Sequence, residues 1–347
     1  MSQYAYCEQP DITSVNRRLF GLTALLYSLP SLGLALSFPL PPAGNDIVGN
    51  TLQVQTRYED TFSDIARLND LGYAELAESN PDVDPWLPGE GTTIVLPTRF
   101  ILPAGPREGI VINLAELRLY YYPKDEGRVI THPLGIGREG WSTPTGIARI
   151  TRKQHKPTWR PPKSILKEHA ENGDPLPAVV KPGPDNPLGE HALYLSMSGY
   201  LIHGTNKPYG VGMRVSHGCI RLYPEDIASL FEQVPVNTPV RIVNTPYKAG
   251  WEDGRLYVEA HPPLSEQRAE QGVNFTPMVR AILSAIGERD LKPDWDAMKL
   301  AAKGQRGIPV AVTSAPPTQL QQPLLSPQKN LLLSNSLEKA EIDAGTE

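Results

Sequence analysis

This chain has few cysteines, no excess of positive charge and no evident metal-binding motif. Its 347 residues include two cysteines and carry a net charge of −5. Two cysteines cannot build the disulfide framework of a small secreted scaffold, and no Cys-x-x-Cys or His-Glu-x-x-His pair occurs. No Walker phosphate-binding loop is present, and the acidic balance offers no basic surface for nucleic acid. We therefore expect no cofactor, no metal and no nucleic-acid partner.

Long apolar runs are also rare, and the longest lies near the start of the chain. An apolar run from Leu19 to Leu36 follows Arg17-Arg18. At its end, Ala35 and Ser37 are small residues at the spacing that signal peptidase recognises. This predicts a signal peptide over residues 1–37, cleaved after Ser37. The alternative is a retained membrane anchor, because such a run approaches spanning length. Cleavage would remove Cys7 and leave Cys219 as an unpaired thiol, which in an exported protein is a candidate reactive group.

Cys219 follows His203 by sixteen positions, and each adjoins a short apolar segment that reads as a strand. Leu201-Ile202 leads into the histidine, and Ile220-Arg221-Leu222 leaves the cysteine. Both groups are therefore expected at strand ends. The glycines between them allow the loop to reverse the chain, namely Gly204, Gly210 and Gly212. This layout predicts a cysteine nucleophile with its base, in which a cationic imidazole would favour the thiolate.

The residues just before Cys219 sharpen this prediction. Gly218 has no side chain where a substrate must approach, and free amides of Gly218 and Cys219 could stabilise an oxyanion. One alternative is that Cys219 is simply a small buried side chain. Another is zinc binding through His203, His217 and Cys219, although the sequence offers no evident fourth ligand.

The ordered motifs of this region resemble those of the L,D-transpeptidase (YkuD-type) family. The central ones are His203-Gly204-Thr205 and Ser216-His217-Gly218-Cys219-Ile220-Arg221-Leu222. The upstream ones are Gly135-Ile136-Gly137, Trp141-Ser142-Thr143-Pro144-Thr145-Gly146 and Pro157-Thr158-Trp159-Arg160-Pro161-Pro162. Together they lie within a catalytic domain over residues 109–244. The resemblance is greatest to periplasmic members that attach a lipoprotein to peptidoglycan, although the interval between His203 and Cys219 is shorter than in the longest family versions.

The resemblance implies a mechanism and a location. In this family the cysteine attacks the carbonyl of meso-diaminopimelate in a tetrapeptide stem, expels D-alanine and passes the acyl group to an amine. Cys219 would then be the nucleophile and His203 the proton donor and acceptor, with the Gly204 carbonyl orienting the imidazole. The remaining residues would shape the site or the oxyanion hole, namely Ser216, His217, Gly218 and Arg221. Arg221 could bind a stem carboxylate or make a structural hydrogen bond to a loop.

Three functions follow from this resemblance. The first is a periplasmic transpeptidase whose partners are peptidoglycan stems and glycan, with an outer-membrane lipoprotein ending in lysine, or a second stem, as the amine donor. The second is a hydrolase that uses the same acyl-enzyme and cuts a cross-link. The third is a wall-binding protein with an idle catalytic fold, which the intact pair of His203 and Cys219 argues against.

Residues 51–103 predict a small βααβ unit. Thr61 is placed as a helix N-cap with Asp64 three positions later, and a second short helix ends at Asn80-Pro81. Pro97 stops the closing strand. This order resembles a LysM domain, a module that binds N-acetylglucosamine polymers, although Glu59-Asp60-Thr61 replaces the usual Gly-Asp-Thr. A structural spacer that binds no glycan is the alternative.

The catalytic region predicts a mainly β fold, a β-sandwich with an attached helix. Residues 109–122 read as two strands around a turn, and Pro224 begins a helix whose apolar stripe faces the sheet. Residues 151–191 look like an irregular insertion, in which His155, His169 and His191 are expected to face solvent. A C-terminal extension over residues 245–303 predicts a hairpin at Asp253-Gly254 and a helix that packs on the catalytic domain. Residues 304–347 predict a disordered tail.

Overall fold

The computed structural model describes residues 35–271 and 274–314. The predicted leader over residues 1–37 therefore lies almost wholly outside the described residues. Within the described ranges, no helix has the length and apolar character needed to cross a membrane. The first strand is β1 (Leu36–Pro39), so a cut after Ser37 would divide it.

A small unit follows β1 and has the predicted βααβ order at its centre. Thr61 caps the first helix, and Asp64 completes the capping box. The inner and the outer strands of the unit each form an antiparallel pair, β3 with β4 and β2 with β5. Its elements are β2 (Ile47–Gly49), β3 (Leu52–Gln55), α1 (Phe62–Leu68), α2 (Tyr73–Ser79), β4 (Thr93–Leu96) and β5 (Arg99–Ile101).

The catalytic region is mainly β, as predicted. Its strands and helices are β6 (Gly109–Asn113), β7 (Arg118–Tyr122), β8 (Arg128–Pro133), β9 (Ile136–Gly137), β10 (Gly146–His155), α3 (Lys163–Glu171), β11 (His191–Leu195), β12 (Leu201–His203), β13 (Arg214–Ser216), β14 (Ile220–Arg221), α4 (Pro224–Gln233) and β15 (Pro239–Val243), with a 3₁₀ turn at Pro208–Gly210. Nine strands form one sheet in the order β1-β8-β7-β6-β15-β10-β11-β12-β14, and β9 pairs with β13 beside it. The insertion is more regular than expected, since it holds α3 and part of β10.

Two apolar clusters lie against this sheet. The first contains Ile202, Ile220 and the α4 side chains Ile227 and Leu230, so the predicted stripe of α4 faces the core. The second joins side chains of α1 and α2, such as Phe62 and Leu76, to sheet residues including Val111, Tyr120 and Val129. The βααβ unit therefore shares a core with the catalytic sheet, and burial of this apolar surface holds the two together.

The loop between His203 and Cys219 contacts the βααβ unit directly. The amide of Ala74, in α2, donates to the carbonyl of Gly212 at 3.1 Å. Gly212 has φ +79°, and a Cβ there would lie 2.4 Å from the Cα of Gly72. Only glycine therefore allows this close backbone approach.

The C-terminal extension forms β16 (Tyr247–Glu252), β17 (Arg255–Ala260), α5 (Ser265–Gln271), α6 (Thr276–Ile286), α7 (Trp295–Gly304) and β18 (Val310–Ala311). The hairpin turns at Asp253-Gly254 as predicted, with positive φ at both residues. Helix α6 is present as predicted, but the prediction that it packs on the catalytic domain was wrong, because its apolar face packs on the hairpin in a separate cluster.

The tail is ordered further than the sequence suggested. Strand β18 pairs with β17, and Val312 is fully buried. The prediction of disorder from residue 304 was therefore wrong for the segment up to residue 314, and residues 315–347 lie outside the described residues.

Candidate active site

His203 and Cys219 are brought to adjacent parallel strands. Strand β12 pairs with β14 so that Ile202 lies opposite Ile220 and His203 opposite Arg221. Both isoleucines are fully buried in the core. Because side chains alternate along a strand, His203 and Arg221 project from the opposite face. Cys219 directly precedes β14, so the same register places it opposite Leu201, and alternation puts the thiol on the same face of the sheet as His203 and Arg221.

His203 is buried and its tautomer is fixed. Its Nδ1 lies 2.6 Å from the carbonyl oxygen of Gly204, so Nδ1 carries the hydrogen and Nε2 is free to accept a proton. Burial, together with the nearby charge of Arg221, lowers the pKa of His203 to about 3. The resting imidazole is therefore neutral. The family resemblance implied a contact between the Gly204 carbonyl and the imidazole, and the structure has that contact.

Cys219 is a half-buried thiol. Its Sγ lies 3.7 Å from the carbonyl oxygen of Gly199. Burial raises the pKa of Cys219, while a backbone hydrogen bond from Leu201 and the charge of Arg221 act in the opposite direction. Burial thus favours the neutral form of both groups, rather than the thiolate beside a cationic imidazole that the sequence predicted.

Ser216 stabilises the turn that ends at Cys219 through two hydrogen bonds. Its hydroxyl donates to the carbonyl of Cys219 at 2.5 Å and accepts from the amide of Gly218 at 3.1 Å. Gly218 has φ +102°, and a Cβ there would lie 3.1 Å from the ring of Tyr200. The Gly218 amide is therefore engaged, contrary to the expectation that it would be free. Among the described residues, the amide of Cys219 has no hydrogen-bond partner.

Thr143 supports the same turn from the other side. Its buried hydroxyl donates to the carbonyl of Gly218 at 2.8 Å and accepts from the amide of Gly137 at 3.1 Å. The upstream motif thus meets the cysteine turn through hydrogen bonds. Sequence reasoning included Thr143 in a motif but gave it no role.

His217 does not contact His203 or Cys219 by hydrogen bonding. Its Nε2 lies 3.0 Å from Glu168 Oε2 and 3.1 Å from the guanidinium of Arg138, and Arg138 also pairs with Glu168. The ring of Trp141 packs edge-on against His217, with centroids 4.8 Å apart. Burial lowers the pKa of His217, whereas the hydrogen bond with Glu168 raises it. The sequence did not indicate Glu168, which lies in α3 almost fifty residues before His217, or Arg138, which directly follows the Gly135-Ile136-Gly137 motif.

Arg221 has a buried guanidinium nitrogen, Nε, without a hydrogen-bond partner among the described residues. Burial lowers the pKa of Arg221, and a buried donor without a partner is costly. Its backbone pairs with Gly135, while its side chain forms none of the ion pairs found in the described part of the chain.

The other histidines lie around this site in different settings. His169 approaches His217, with centroids 6.3 Å apart, and also pairs with Asp174. His155 is exposed and stacks on His191, whose ring contacts Phe231. His155 thus faces solvent as expected, whereas His169 and His191 are partly covered.

Zinc binding by His203, His217 and Cys219 receives no support from the geometry. The described residues contain two clusters of potential ligands, and neither includes Cys219.

Comparison with known proteins identifies the family. The family model of the L,D-transpeptidase catalytic domain (YkuD) matches residues 107–242. The chain is 42% identical to the probable L,D-transpeptidase YbiS of Escherichia coli K12 over 85% of this chain and 97% of that protein. It is 40% identical to the probable L,D-transpeptidase ErfK/SrfK of the same strain, over 84% and 95%, and 41% identical to YcfS, over 83% and 91%. The chain belongs to the L,D-transpeptidase family, an acyltransferase family that acts on peptidoglycan.

Proposed function

We propose that Cys219 is the nucleophile of this L,D-transpeptidase and His203 its general base and acid. The sulfur attacks the meso-diaminopimelate carbonyl of a tetrapeptide stem while Nε2 of His203 takes the thiol proton. The proton then passes to the nitrogen of the departing D-alanine as the tetrahedral intermediate collapses to a thioester. An incoming amine attacks the thioester and restores the thiol. The observation that carries this assignment is the tautomer of His203, which leaves Nε2 as an acceptor on the same face of the sheet as Cys219.

The oxyanion of the tetrahedral intermediate would be stabilised by the amide of Cys219. The Gly218 amide is already bonded to Ser216, whereas the Cys219 amide is unengaged. A pre-oriented amide in a half-buried site is worth more than one in water, because it needs no reorganisation. Ser216, Gly218 and Thr143 act by holding this turn in place.

Arg221 would bind a carboxylate of the donor stem. The charge is half-buried beside the thiol and lacks an anionic partner. A carboxylate there would form a charge-assisted hydrogen bond. His217, braced by Glu168 and Trp141, would form one wall of the donor groove.

The assignment is tested with purified protein and tetrapeptide muropeptides, with products separated and the protein mass measured. We expect a covalent adduct and released D-alanine for the native protein, and neither for Cys219→Ala. The matched control is His155→Gln, an exposed histidine outside the motif, which should retain activity. An adduct that persists in Cys219→Ala would contradict the assignment.

The acyl acceptor is an amine, either a lipoprotein lysine or a second stem. The relatives are named transpeptidases, which favours transfer over hydrolysis. Supplying a lysine-ending lipoprotein peptide and a second stem in competition would rank the two, and net loss of cross-links would instead indicate the hydrolase. We place the reaction in the periplasm, after export by a cleavable leader.

The βααβ unit is proposed to bind peptidoglycan glycan. Its surface carries two exposed aromatic side chains, Tyr58 at 82% and Trp86 at 62% exposure, and such rings can stack on sugar faces. Because this unit shares a core with the catalytic sheet, its deletion would disturb the whole fold. We therefore expect Tyr58→Ala combined with Trp86→Ala to reduce sedimentation with purified sacculi, and Trp295→Ala, an exposed tryptophan in α7, to leave it unchanged. Equal sedimentation of all three proteins would make the unit a spacer.

A further inference from the structure

A buried acidic cluster lies where the βααβ unit meets the catalytic sheet. Asp70 and Asp226 are 4% and 3% exposed, and His132 is completely buried between them. One potential ligand atom from each lies within 4.8 Å of the others. Oδ1 of Asp70, Oδ2 of Asp226 and both ring nitrogens of His132 have no hydrogen-bond partner among the described residues. Such a buried polar group is expected to have a partner.

Among the described residues, no charged side chain neutralises these two carboxyl groups. They hydrogen-bond to each other, and Nδ1 of His132 lies 3.3 Å from Oδ1 of Asp226. Arg118 is the nearest buried cation, but its guanidinium is committed to Glu75, to the hydroxyl of Thr131 and to the main-chain carbonyl of Asp70. Arg67 pairs with Glu225 at the surface. Burial lowers the pKa of His132 to about 4, so its ring is neutral. Burial also raises the pKa of Asp70 and brings that of Asp226 to about 7.

One backbone nitrogen reaches the cluster. The nitrogen of Leu36 lies 2.7 Å from Oδ2 of Asp70. Leu36 is the first residue of β1 and pairs with Thr131, next to His132. As an amide this nitrogen donates one hydrogen bond and carries no charge. As a free α-amino group it would carry a positive charge and two further hydrogens.

We propose that the leader is cleaved between Ala35 and Leu36, and that the new ammonium group of Leu36 is the counter-ion of the Asp70–Asp226 cluster. The endopeptidase that processes the exported protein hydrolyses the peptide bond between Ala35 and Leu36, which leaves a carboxylate on Ala35 and an ammonium on Leu36. The ammonium keeps the bond to Oδ2 of Asp70 and offers its other hydrogens to the unpaired carboxylate oxygens. The buried ion pair joins β1 to the segment after α1 and to α4.

The structure distinguishes this cut from its neighbours in sequence. Small residues at the first and third positions before the cut occur in three overlapping frames, which end at Gly33, Ala35 and Ser37. A cut after Ser37 removes Leu36 and half of β1. A cut after Gly33 leaves the nitrogen of Leu36 an amide and places the new charge two residues away. Only the cut after Ala35 creates a charge at the nitrogen that already contacts Asp70.

Processing is tested first by identifying the N-terminus of the protein recovered after export in a bacterial host. N-terminal sequencing and intact mass should give Leu36 as the first residue. A mature protein that begins at Leu34, Phe38 or Met1 would overturn the proposal.

The counter-ion role is tested with three proteins whose fusion partner is removed without leaving extra residues, beginning at Leu34, Leu36 and Phe38. We expect the Leu36 protein to have the highest Tm, and Nα-acetylation of Leu36 to remove the advantage over the Leu34 protein. The advantage should also vanish in Asp70→Asn or Asp226→Asn, whereas Asp60→Asn, an exposed carboxylate near α1, should preserve it. Equal Tm values for the Leu34 and Leu36 proteins would overturn the role.

The pH dependence of stability distinguishes the ammonium group from other groups that could occupy the Asp70–Asp226 cluster. Without a cation, the two carboxyl groups hold protons that the unfolded chain releases near pH 4, whereas neutral His132 lacks a proton that the unfolded chain binds below about pH 6.5. The two carboxyl groups outweigh the one histidine, so stability falls as pH rises through the raised pKa of Asp226. With the ammonium in place this loss should be smaller, and a new loss should appear above about pH 8, where an unfolded α-amino group deprotonates. A Tm that instead depends on divalent metal and falls with EDTA would show that a metal, not the ammonium, fills the cluster.

Discussion

Arg118 of strand β7 and Glu75 of helix α2 form a bidentate ion pair in the interior of the protein. Nε and one terminal nitrogen of the guanidinium lie 2.6 and 2.9 Å from the two carboxylate oxygens, and Arg118 is fully buried. The pair joins the βααβ unit to the catalytic sheet. Burial opposes ionisation of Arg118, but Glu75 keeps its pKa above the usual value.

Breaking this pair should destabilise the protein strongly. Arg118→Met leaves the carboxylate of Glu75 buried without its partner, and we expect a loss of about 3–5 kcal/mol in the free energy of unfolding. Denaturant unfolding followed by circular dichroism measures this loss. The double variant with Glu75→Met should recover part of it, because no isolated charge remains.

A matched control exists on the same interface. Arg67 and Glu225 also join the two parts of the chain, but their side chains are 43% and 30% exposed. We expect Arg67→Met to cost less than about 1 kcal/mol. If both arginine variants lost the same stability, burial would not be what makes the inner pair important.

Ser216→Ala should impair both catalysis and stability. The variant loses the hydroxyl that joins the Gly218 amide to the Cys219 carbonyl, so the turn that presents the thiol is no longer fixed. Unpaired groups should cost about 1–3 kcal/mol of stability, and misplacement of the thiol should lower kcat roughly 10²-fold. Stem-peptide turnover and Tm are measured in parallel, with Ser229→Ala in α4 as the control. Full activity of Ser216→Ala would show that the hydroxyl does not position the cysteine.

Glu168→Gln should lower the pKa of His217. The carboxylate raises this pKa through its hydrogen bond, in opposition to burial and to Arg138. Its removal leaves the opposing effects in place. An NMR titration of the ring protons measures the shift, with Glu171→Gln on the same helix as control. An unchanged pKa of His217 would mean that Glu168 does not interact with the ring in solution.

Stability should fall in mild alkali through His261. Burial alone would lower the pKa of His261, but hydrogen bonds with Glu259 and Glu78 raise it to about 10. The folded protein therefore holds a proton that the unfolded chain releases near pH 6.5. Its stabilising contribution is complete below about pH 6.5 and is lost as pH rises towards 10. The pH profile of Tm should show this decline, flatter in His261→Gln and unchanged in His155→Gln.

The sequence predicted those features that depend on short-range patterns. The cap at Thr61, the proline start of α4 and the turn at Asp253-Gly254 each follow from local backbone chemistry, and all three are present. The contact between His203 and the Gly204 carbonyl was expected from the family resemblance, and the lack of an acidic residue beside His203 in sequence was consistent with it.

Long-range features were not accessible in this way. Glu168 reaches His217 only because α3 folds over the site, and no local pattern in the insertion marks it. Helix α6 has an apolar stripe, which indicates that one face is buried but does not specify what covers it. Its packing on the hairpin could therefore not be predicted from the sequence. Strand β18 was not predicted, because a two-residue strand leaves little periodicity in the sequence.

The contact of Gly212 with α2 has a consequence for how the chain can be altered. The amide of Ala74 holds the carbonyl of Gly212 in the loop that separates base from nucleophile. The domain boundary predicted near residue 103 is therefore not a point at which the βααβ unit could be separated from the catalytic domain and replaced. Grafting a foreign wall-binding module in place of residues 51–103 would remove a wall of the catalytic loop itself. Exchange of such modules between enzymes would have to carry this loop with it.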